Sequence, residues 1–156
     1  SGLVHENMYR CAGGRFLELG RRLERAMQLA RITGWLTAPE APDGSVEMLL
    51  EIGDSVMSHR RRYSVTAGAL SAVDLLVLDP LNPRSVLFQL ADLRDQIEAL
   101  PGGIDDEQLS PAAKLALEIH TDLVIAEASD MTPARLNRLA DDVGMLSSLI
   151  AAAYFT

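Results

Sequence analysis

The residues of this 156-residue chain with the most chemistry to offer are three histidines, one cysteine and several runs of arginine. His5-Glu6 opens like the helical zinc-protease pattern, which needs a second histidine four residues on so that both rings share one helix face. Tyr9 stands there instead, and that chemistry is excluded. His59 and His120 have no ligand partner at one-turn spacing, so no metal site is expected. Gly13-Gly14 lacks the spacing and the closing Lys-Ser/Thr of a phosphate loop and reads as a bend between two helical pieces. Cys11 has no histidine at an offset that would activate it, and a lone cysteine excludes a disulfide framework or a multi-cysteine metal cluster.

The densest polar pattern is Gly20-Arg21-Arg22-Leu23-Glu24-Arg25-Ala26. On a helix, adjacent Glu24 and Arg25 point about 100° apart and cannot close one simple pair, so each needs a partner elsewhere. Glu18 reaches Arg21 and Arg22 at three and four residues. Arg22 borders the apolar stripe, where its stem can pack while the guanidinium meets a carboxylate of another helix. Two outcomes stay open: an interhelical ion network, or an arginine-lined pocket for an anionic ligand or peptide carboxylate. Arg84 is the second informative charge. Read in the first turn of a helix, it opposes the helix dipole. Either an acid such as Glu24 or Asp79 pairs with it, or Arg84, Ser85 and the helix start form an anion-binding corner. His59-Arg60-Arg61-Arg62-Tyr63 fans around a helix without interleaved aromatics and reads as a solvated, internally paired cluster.

Helices must position these residues. From Phe16, Leu19, Leu23, Ala26 and Ala30 recur at steps of three and four, with Gly34 as a stop. Pro39, Pro42 and Gly44 mark a linker. Ser45 then caps a long second helix through Leu49, Val56, Tyr63, Leu70 and Val77, weak around Gly53, Asp54 and His59 and kinked at Thr66-Ala67-Gly68. Asn82-Pro83 caps a third helix whose seam, Val86, Leu90, Leu93, Ile97 and Leu100, stops at Pro101-Gly102-Gly103. Ser110-Pro111 and Thr132-Pro133 start a fourth helix, with Leu115, Ile119, Leu123 and Ala126, and a fifth, with Leu136, Leu139, Val143, Leu146, Ile150 and Ala153. No strand or hairpin signal competes, and the expected fold is all-α, an antiparallel up-and-down bundle of about five helices.

Composition agrees with helices: 48% of residues are apolar but only 4% aromatic. A net charge of -8 argues against a nucleic-acid partner. The charge is uneven, with nine arginines against eight acids in residues 1–62 and five basic residues against fourteen acids in 63–156. The first part therefore carries an arginine-rich surface suited to carboxylates. No segment approaches the roughly 20 apolar residues of a membrane span and the N-terminus lacks a signal-peptide pattern, so a cytoplasmic protein without membrane partners is expected.

Three segments, in order and across essentially the whole chain, resemble the bacterial alpha-E family: Gly2-Leu-Val-His-Glu-Asn-Met8, Arg15-Phe-Leu-Glu-Leu-Gly-Arg-Arg-Leu-Glu-Arg-Ala26, and Leu76-Val-Leu-Asp-Pro-Leu-Asn-Pro-Arg-Ser85. This is an all-helical domain named for its Glu-Arg motif, here Glu24-Arg25. The family is found fused to, or encoded beside, circularly permuted ATP-grasp proteins, which implies a setting of peptide or amide-bond synthesis. A full alpha-E domain looks about twice this length, and this sequence resembles its second half. Residues 1–156 are therefore expected to form a single helical domain, the C-terminal half of one cut from a longer chain.

The resemblance implies a non-catalytic module that positions a partner or peptidyl substrate for an ATP-grasp ligase. Glu24, Arg25, Asp79 and Arg84 would organise its polar centre, near Arg21, Arg22 and Ser85. The Glu-Arg motif is expected to be mainly architectural, and no cofactor is expected. The alternative is an enzyme subunit in which His5, Glu6, Asp54, His59, Tyr63 or Arg84 meet in a cleft over a small anionic substrate. A homodimer is also expected, pairing the apolar stretch from Met145 to Phe155 with Leu17, Leu29 and Ile32, which lie outside the main stripe of the first helix.

Overall fold

Four amphipathic helices, each long enough to bury a continuous apolar stripe, set the architecture. The computed structural model describes residues 2–63 and 67–155, with side chains from Gly13 onward. Its elements are α1 (Gly2–Leu36), α2 (Ser45–Ile52), α3 (Val56–Arg62), and α4 (Ala69–Val73) running into a π-helical turn (Asp74–Leu78). Then come α5 (Val86–Glu98), a ribbon of β1 (Ile104–Asp105) and β2 (Gln108–Leu109), α6 (Pro111–Ile125), a 3₁₀ turn (Ala128–Asp130) and α7 (Pro133–Tyr154). The fold is all-α apart from that ribbon.

Helices α1, α5, α6 and α7 run up and down as an antiparallel bundle, with α1 against α5 and α7 and with α6 closing the ring. The register of α1 on α7 is legible from its ends. Arg31 bonds Asn137 and Asp141 early in α7, while Phe16 packs on Tyr154 and Phe155 at its close. Inside, Leu19, Leu23, Ala26 and Ala30 meet Val86, Leu90, Leu93 and Ile97, and α6 and α7 add Ile119, Leu123, Leu136, Val143, Leu146 and Ile150. These are the stripes read from the periodicity, except that Ala153 is exposed. Each fully buried Leu, Ile or Val contributes roughly 1.5–3 kcal/mol relative to its exposed state. Ser110 and Thr132 cap α6 and α7 as expected, accepting from the backbone N–H of Ala113 and Arg135.

A second, smaller cluster lies beside the bundle. Leu49, Leu50, Ala72, Leu75 and Leu76 are buried there, and Leu29, Ile32 and Leu36 of α1 pack onto them. The C-terminal half of α1 thus buries two faces, and Leu29 touches both cores. Leu29 and Ile32, expected to pair with a second copy, are half-buried within this chain, and the end of α7 is met by Phe16 of α1.

Four expectations need correction. The bend at Gly13-Gly14 is absent, and α1 runs straight through it. Two helical glycines cost only about 2 kcal/mol relative to alanine, a penalty that a long helix packed at its other end can bear. The long second helix is three short helices and a π turn. Gly44 rather than Ser45 is the N-cap of α2, and the Ser45 hydroxyl donates to the Pro42 carbonyl. The kink expected at Thr66-Ala67-Gly68 falls partly on 64–66, outside the described residues. Asn82 does not cap α5. Ser85 does, accepting from Phe88 N–H at 3.0 Å.

The fourth correction is the hairpin between α5 and α6, where Asp106 and Glu107 both have positive φ, 46° and 63°. A two-residue loop with both residues left-handed matches the right-handed twist of paired strands, but it favours Asn-Gly, and Asp-Glu gave no such signal. Before it, Gly102 (φ 77°) lies in the turn from Leu100 to Gly103 that follows α5, and Gly103 folds back so closely that a Cβ there would lie 2.4 Å from the Ile97 carbonyl oxygen. Gly103→Ala should therefore lower stability by roughly 1–3 kcal/mol in urea unfolding. Gly68→Ala, whose Cβ meets nothing, is the control, and equal effects would refute the packing argument.

On the α5–α6 seam, His120 Nδ1 lies 3.4 Å from a guanidinium nitrogen of Arg94. Burial first, and the Arg94 cation second, hold the His120 pKa below its ordinary 6.5. The unfolded chain then takes the proton more readily. Stability contributed above pH 6.5 should fall as pH drops through 6.5 toward the lower folded value. Unfolding midpoints between pH 7 and 5 should show a shallower slope in His120→Gln, and an unchanged slope would remove His120 as the cause.

Candidate functional site

One stripe of α1, Arg22, Arg25, Gln28, Leu29 and Ile32, forms a wall of a cleft of about 570 Å³. Steps of three and four place these side chains in register along the helix. The facing wall is Ile52-Gly53 at the end of α2, Pro83-Arg84 in the loop before α5, and Phe88-Gln89 at the start of α5. The volume falls within the range of small-ligand sites, and the lining mixes apolar surface with guanidinium and amide groups.

Local backbone chemistry builds that facing wall. Helix α2 ends in a Schellman arrangement, with Ser55 N–H bonding the Leu50 carbonyl and Asp54 N–H bonding that of Glu51. The left-handed residue is Asp54 (φ 50°), while Gly53 lets the turn approach the small core, since a Cβ there would lie 2.5 Å from Leu76 Cδ2. The next wall segment is stapled by its own side chains. Asp79 Oδ1 accepts from Leu81 N–H at 2.9 Å, and Asn82 Oδ1 accepts from Arg84 N–H at 3.1 Å, so both Asp-Pro and Asn-Pro make Asx turns. The buried Asn82 amide also donates to the Leu75 carbonyl at 3.0 Å and to Ser55 Oγ at 3.3 Å. Ser85 Oγ donates to the Asp79 carbonyl at 2.5 Å.

The arginines differ in how far they are committed. Arg22 Nε lies 2.7 Å from Asp92 of α5 and 3.3 Å from Glu18, and its terminal nitrogen donates to Gln89 Oε1 at 3.0 Å. Gln89, only 6% exposed, passes the constraint on by donating to the Pro83 carbonyl at 2.6 Å. Arg84 pairs with Asp54 at 2.9 Å, and both side chains are mostly exposed, so the pair contributes no more than about 1 kcal/mol. Arg25 is exposed and has no ion-pair or hydrogen-bond partner among the described residues. No Asp or Glu lines the cleft.

The single polar centre expected from Glu24, Arg25, Asp79 and Arg84 is not formed. Glu24 accepts from Gln28 on its own helix, four residues on, and is exposed. Asp79 pairs with Arg62 at 2.6 Å, and Arg84 pairs with neither Glu24 nor Asp79. Arg84 precedes the Ser85 cap rather than occupying the first helical turn, and Ser85 is fully buried and occupied, so the expected anion-binding corner at the helix start is replaced by a capped end. Glu24 and Arg25 do not pair with each other, as their spacing requires, but both are exposed, which departs from the architectural role expected of the motif. Arg21 lies with Phe16, Leu17, Gly20 and Glu24 along a shallow neighbouring groove.

His59 and Tyr63 belong to a separate cluster. Their rings stack at 4.7 Å, His59 Nε2 is 2.8 Å from Ser71 Oγ, and Tyr63 O–H donates to Asp74. The Arg62 guanidinium sits 5.5 Å over the Tyr63 ring and 3.3 Å from Asp74. Burial, reinforced by the Asp74 carboxylate, pushes the Tyr63 phenol well above its ordinary range, so it stays protonated. His59 is 5% exposed. The side chains of His5, Glu6 and Cys11 lie outside the described ones. Among the described residues no three His, Cys, Asp or Glu side chains converge as metal ligands, and no helix is long and apolar enough to cross a membrane.

Gln28, Gln89, Asp92 and Asn82 are the site residues that periodicity did not single out. Gln89 had one detectable signal, a carboxamide placed among buried apolar positions, where it must find partners, whereas Asn82 is legible in the sequence only as a helix cap.

Residues 1–155 match the family model described as a predicted alpha-helical domain with a conserved ER motif. Uncharacterised proteins of Mycobacterium bovis and Mycobacterium tuberculosis are 30% identical to this chain over 113 residues, 65% of its length. The chain spans only 12% of the length of those relatives. No solved structure matches it. The helical architecture and a family match over all but the last residue agree: the chain belongs to the alpha-E family.

Proposed function

We propose that this domain is a non-catalytic positioning module that holds an anionic group of a partner or peptidyl substrate for an amide-bond ligase of the ATP-grasp type. The observation that carries the reading is Arg25, an arginine without a protein partner among the described residues, in a cleft with Arg22 and Arg84 and no lining acid. A guanidinium presents a planar fork of donors that matches a carboxylate, and Arg25 holds that fork toward solvent with no partner among the described residues competing for it. The ligase partner enters through the family resemblance and supplies the nucleotide chemistry. A reading as an enzyme subunit draws on the Tyr63–Asp74 and His59–Ser71 pairs. The raised phenol pKa and the buried histidine make that cluster a poor general base, which favours the positioning role.

The reading is tested by reconstitution with the neighbouring ATP-grasp protein. Arg25→Gln should raise KM for the carboxylate-bearing substrate about tenfold while leaving kcat within about twofold, as expected for lost uniform binding. Asp54→Asn keeps the side-chain shape and its tolerance of left-handed backbone but removes the carboxylate that occupies Arg84. It should lower KM by up to about fivefold, the size of an exposed ion pair. ADP release by this chain alone, abolished by a point change within it, would reject the module in favour of the enzyme subunit.

A further inference from the structure

The cleft lining is chemically mixed. Its uncommitted or weakly committed cations are Arg25 and Arg84, with Arg22 already engaged by Asp92, Glu18 and Gln89. Its other lining is apolar: Leu29, Ile32 and Phe88 are half-buried, and Ile52 is 52% exposed. These four side chains come from α1, α2 and α5, so the apolar wall is assembled by the tertiary fold. Phosphate-rich ligands are the poorer match. They are held by clustered backbone N–H groups at an open helix start, whereas α5 begins with a buried Ser85 that already accepts from Phe88 N–H. A nucleic acid would also have to approach a chain of net charge -8. What fits is one planar anion joined closely to one apolar group.

We propose that the cleft binds the free C-terminus of a peptide ending in an aliphatic residue, with the terminal carboxylate between Arg25 and Arg84 and the last side chain on Leu29, Ile32, Ile52 and Phe88. This rests on the anion-holding reading of the same cleft and adds the ligand class and its selectivity. A terminal carboxylate and its own side chain are separated by a single carbon, the closest pairing of anion and apolar group that a peptide offers. Gln28 on the same wall supplies an amide for the adjoining peptide bond. Asp54 is the internal competitor, because its carboxylate occupies Arg84 when no peptide is present. Gln89 is a positioning residue, holding Arg22 on one side and the Pro83 carbonyl beside Arg84 on the other.

Calorimetric titration of the chain with acetyl-Ala-Ala-Leu, its C-terminal amide, acetyl-Ala-Ala-Ser and inorganic phosphate tests this. The leucine acid should bind at least tenfold more tightly than its amide and about fivefold or more tightly than the serine acid. Arg25→Gln should erase the preference for acid over amide. Ile32→Ser should erase the preference for leucine over serine while leaving acid over amide intact, and circular dichroism of both variants verifies that the fold persists. Equal binding of the leucine and serine acids, with the amide excluded, overturns the aliphatic selectivity and leaves the anion-holding reading standing. Equal binding of acid and amide overturns both. Binding of phosphate in preference to every carboxylate overturns the peptide C-terminus as the ligand.

Discussion

A carbonyl that helical geometry leaves behind governs much of this structure. The chain leaves the π turn at Asp79 with extended backbone, so the carbonyls of its last turn lack the following N–H groups that a longer helix would provide. Leu75 is buried in one cluster with Leu49, Leu50 and Leu76, where an unpaired carbonyl would carry the full desolvation cost of roughly 1–3 kcal/mol. Asn82 supplies the missing donor, and in doing so fixes the loop that contains it. With Asn82 anchored, its other amide atom turns Arg84 back through an Asx bond, Ser85 is set to cap α5, and Gln89 one turn later clasps the Pro83 carbonyl. Arg84, which lines the cleft, is therefore placed by a chain of satisfied buried polar groups whose origin is the Leu75 carbonyl.

That dependence explains which parts of the fold were legible in the sequence. The seams of α1, α5, α6 and α7 follow from apolar residues at steps of three and four, because each helix buries one face into a common core and its periodicity records that face directly. The region from Ser45 to Leu78 obeys a different rule. Most of it packs as a second layer beside α1 while Val73, Val77 and Leu78 enter the bundle core, and short helices leave no single stripe, so Leu49 and Val77 are buried in different clusters and Leu70 is 61% exposed. A window that assumes one straight helix reads those positions as a weak continuous pattern. The same layer accounts for Leu29 and Ile32, apolar residues beyond the main stripe of α1 whose cover comes from within the chain.

The four dipeptides that join a capping residue to proline show where local reading ends. Asp79-Pro80, Asn82-Pro83, Ser110-Pro111 and Thr132-Pro133 all place an oxygen acceptor before a residue with no N–H. In the last two the acceptor takes the N–H three residues on, and a helix starts. In the first two it takes the N–H two residues on, and a turn results. The acceptors differ in kind, a carboxylate or amide in the first two and a hydroxyl in the last two, and Asp and Asn make such turns more readily than Ser or Thr. The burial of Asn82 against Leu75 holds the second turn in place. Asn is also a good helix cap, but the cap expected at Asn82 lies at Ser85, three residues on, and Arg84 falls before the helix rather than inside it. The arginines themselves were visible as a type and a density. Which of them would be committed was settled by Asp92 and Gln89, on a helix more than sixty residues away.

The overall charge bears on how such a cleft would be used. With a net charge of -8, the chain as a whole gives distant anions little steering, and screening over about 8 Å confines the pull of Arg25 to its own neighbourhood. The attraction becomes favourable only at contact, where the guanidinium fork and the apolar wall are both engaged. Tethering reverses that handicap: a ligand carried on a bound partner reaches the cleft at an effective concentration in the millimolar range whatever the field outside. A site of modest affinity therefore favours a carboxylate that is delivered on a partner over the dilute small carboxylates in solution. That is the behaviour the proposed positioning module needs, and it rests on leaving Arg25 uncommitted in the cleft of a chain whose net charge is negative.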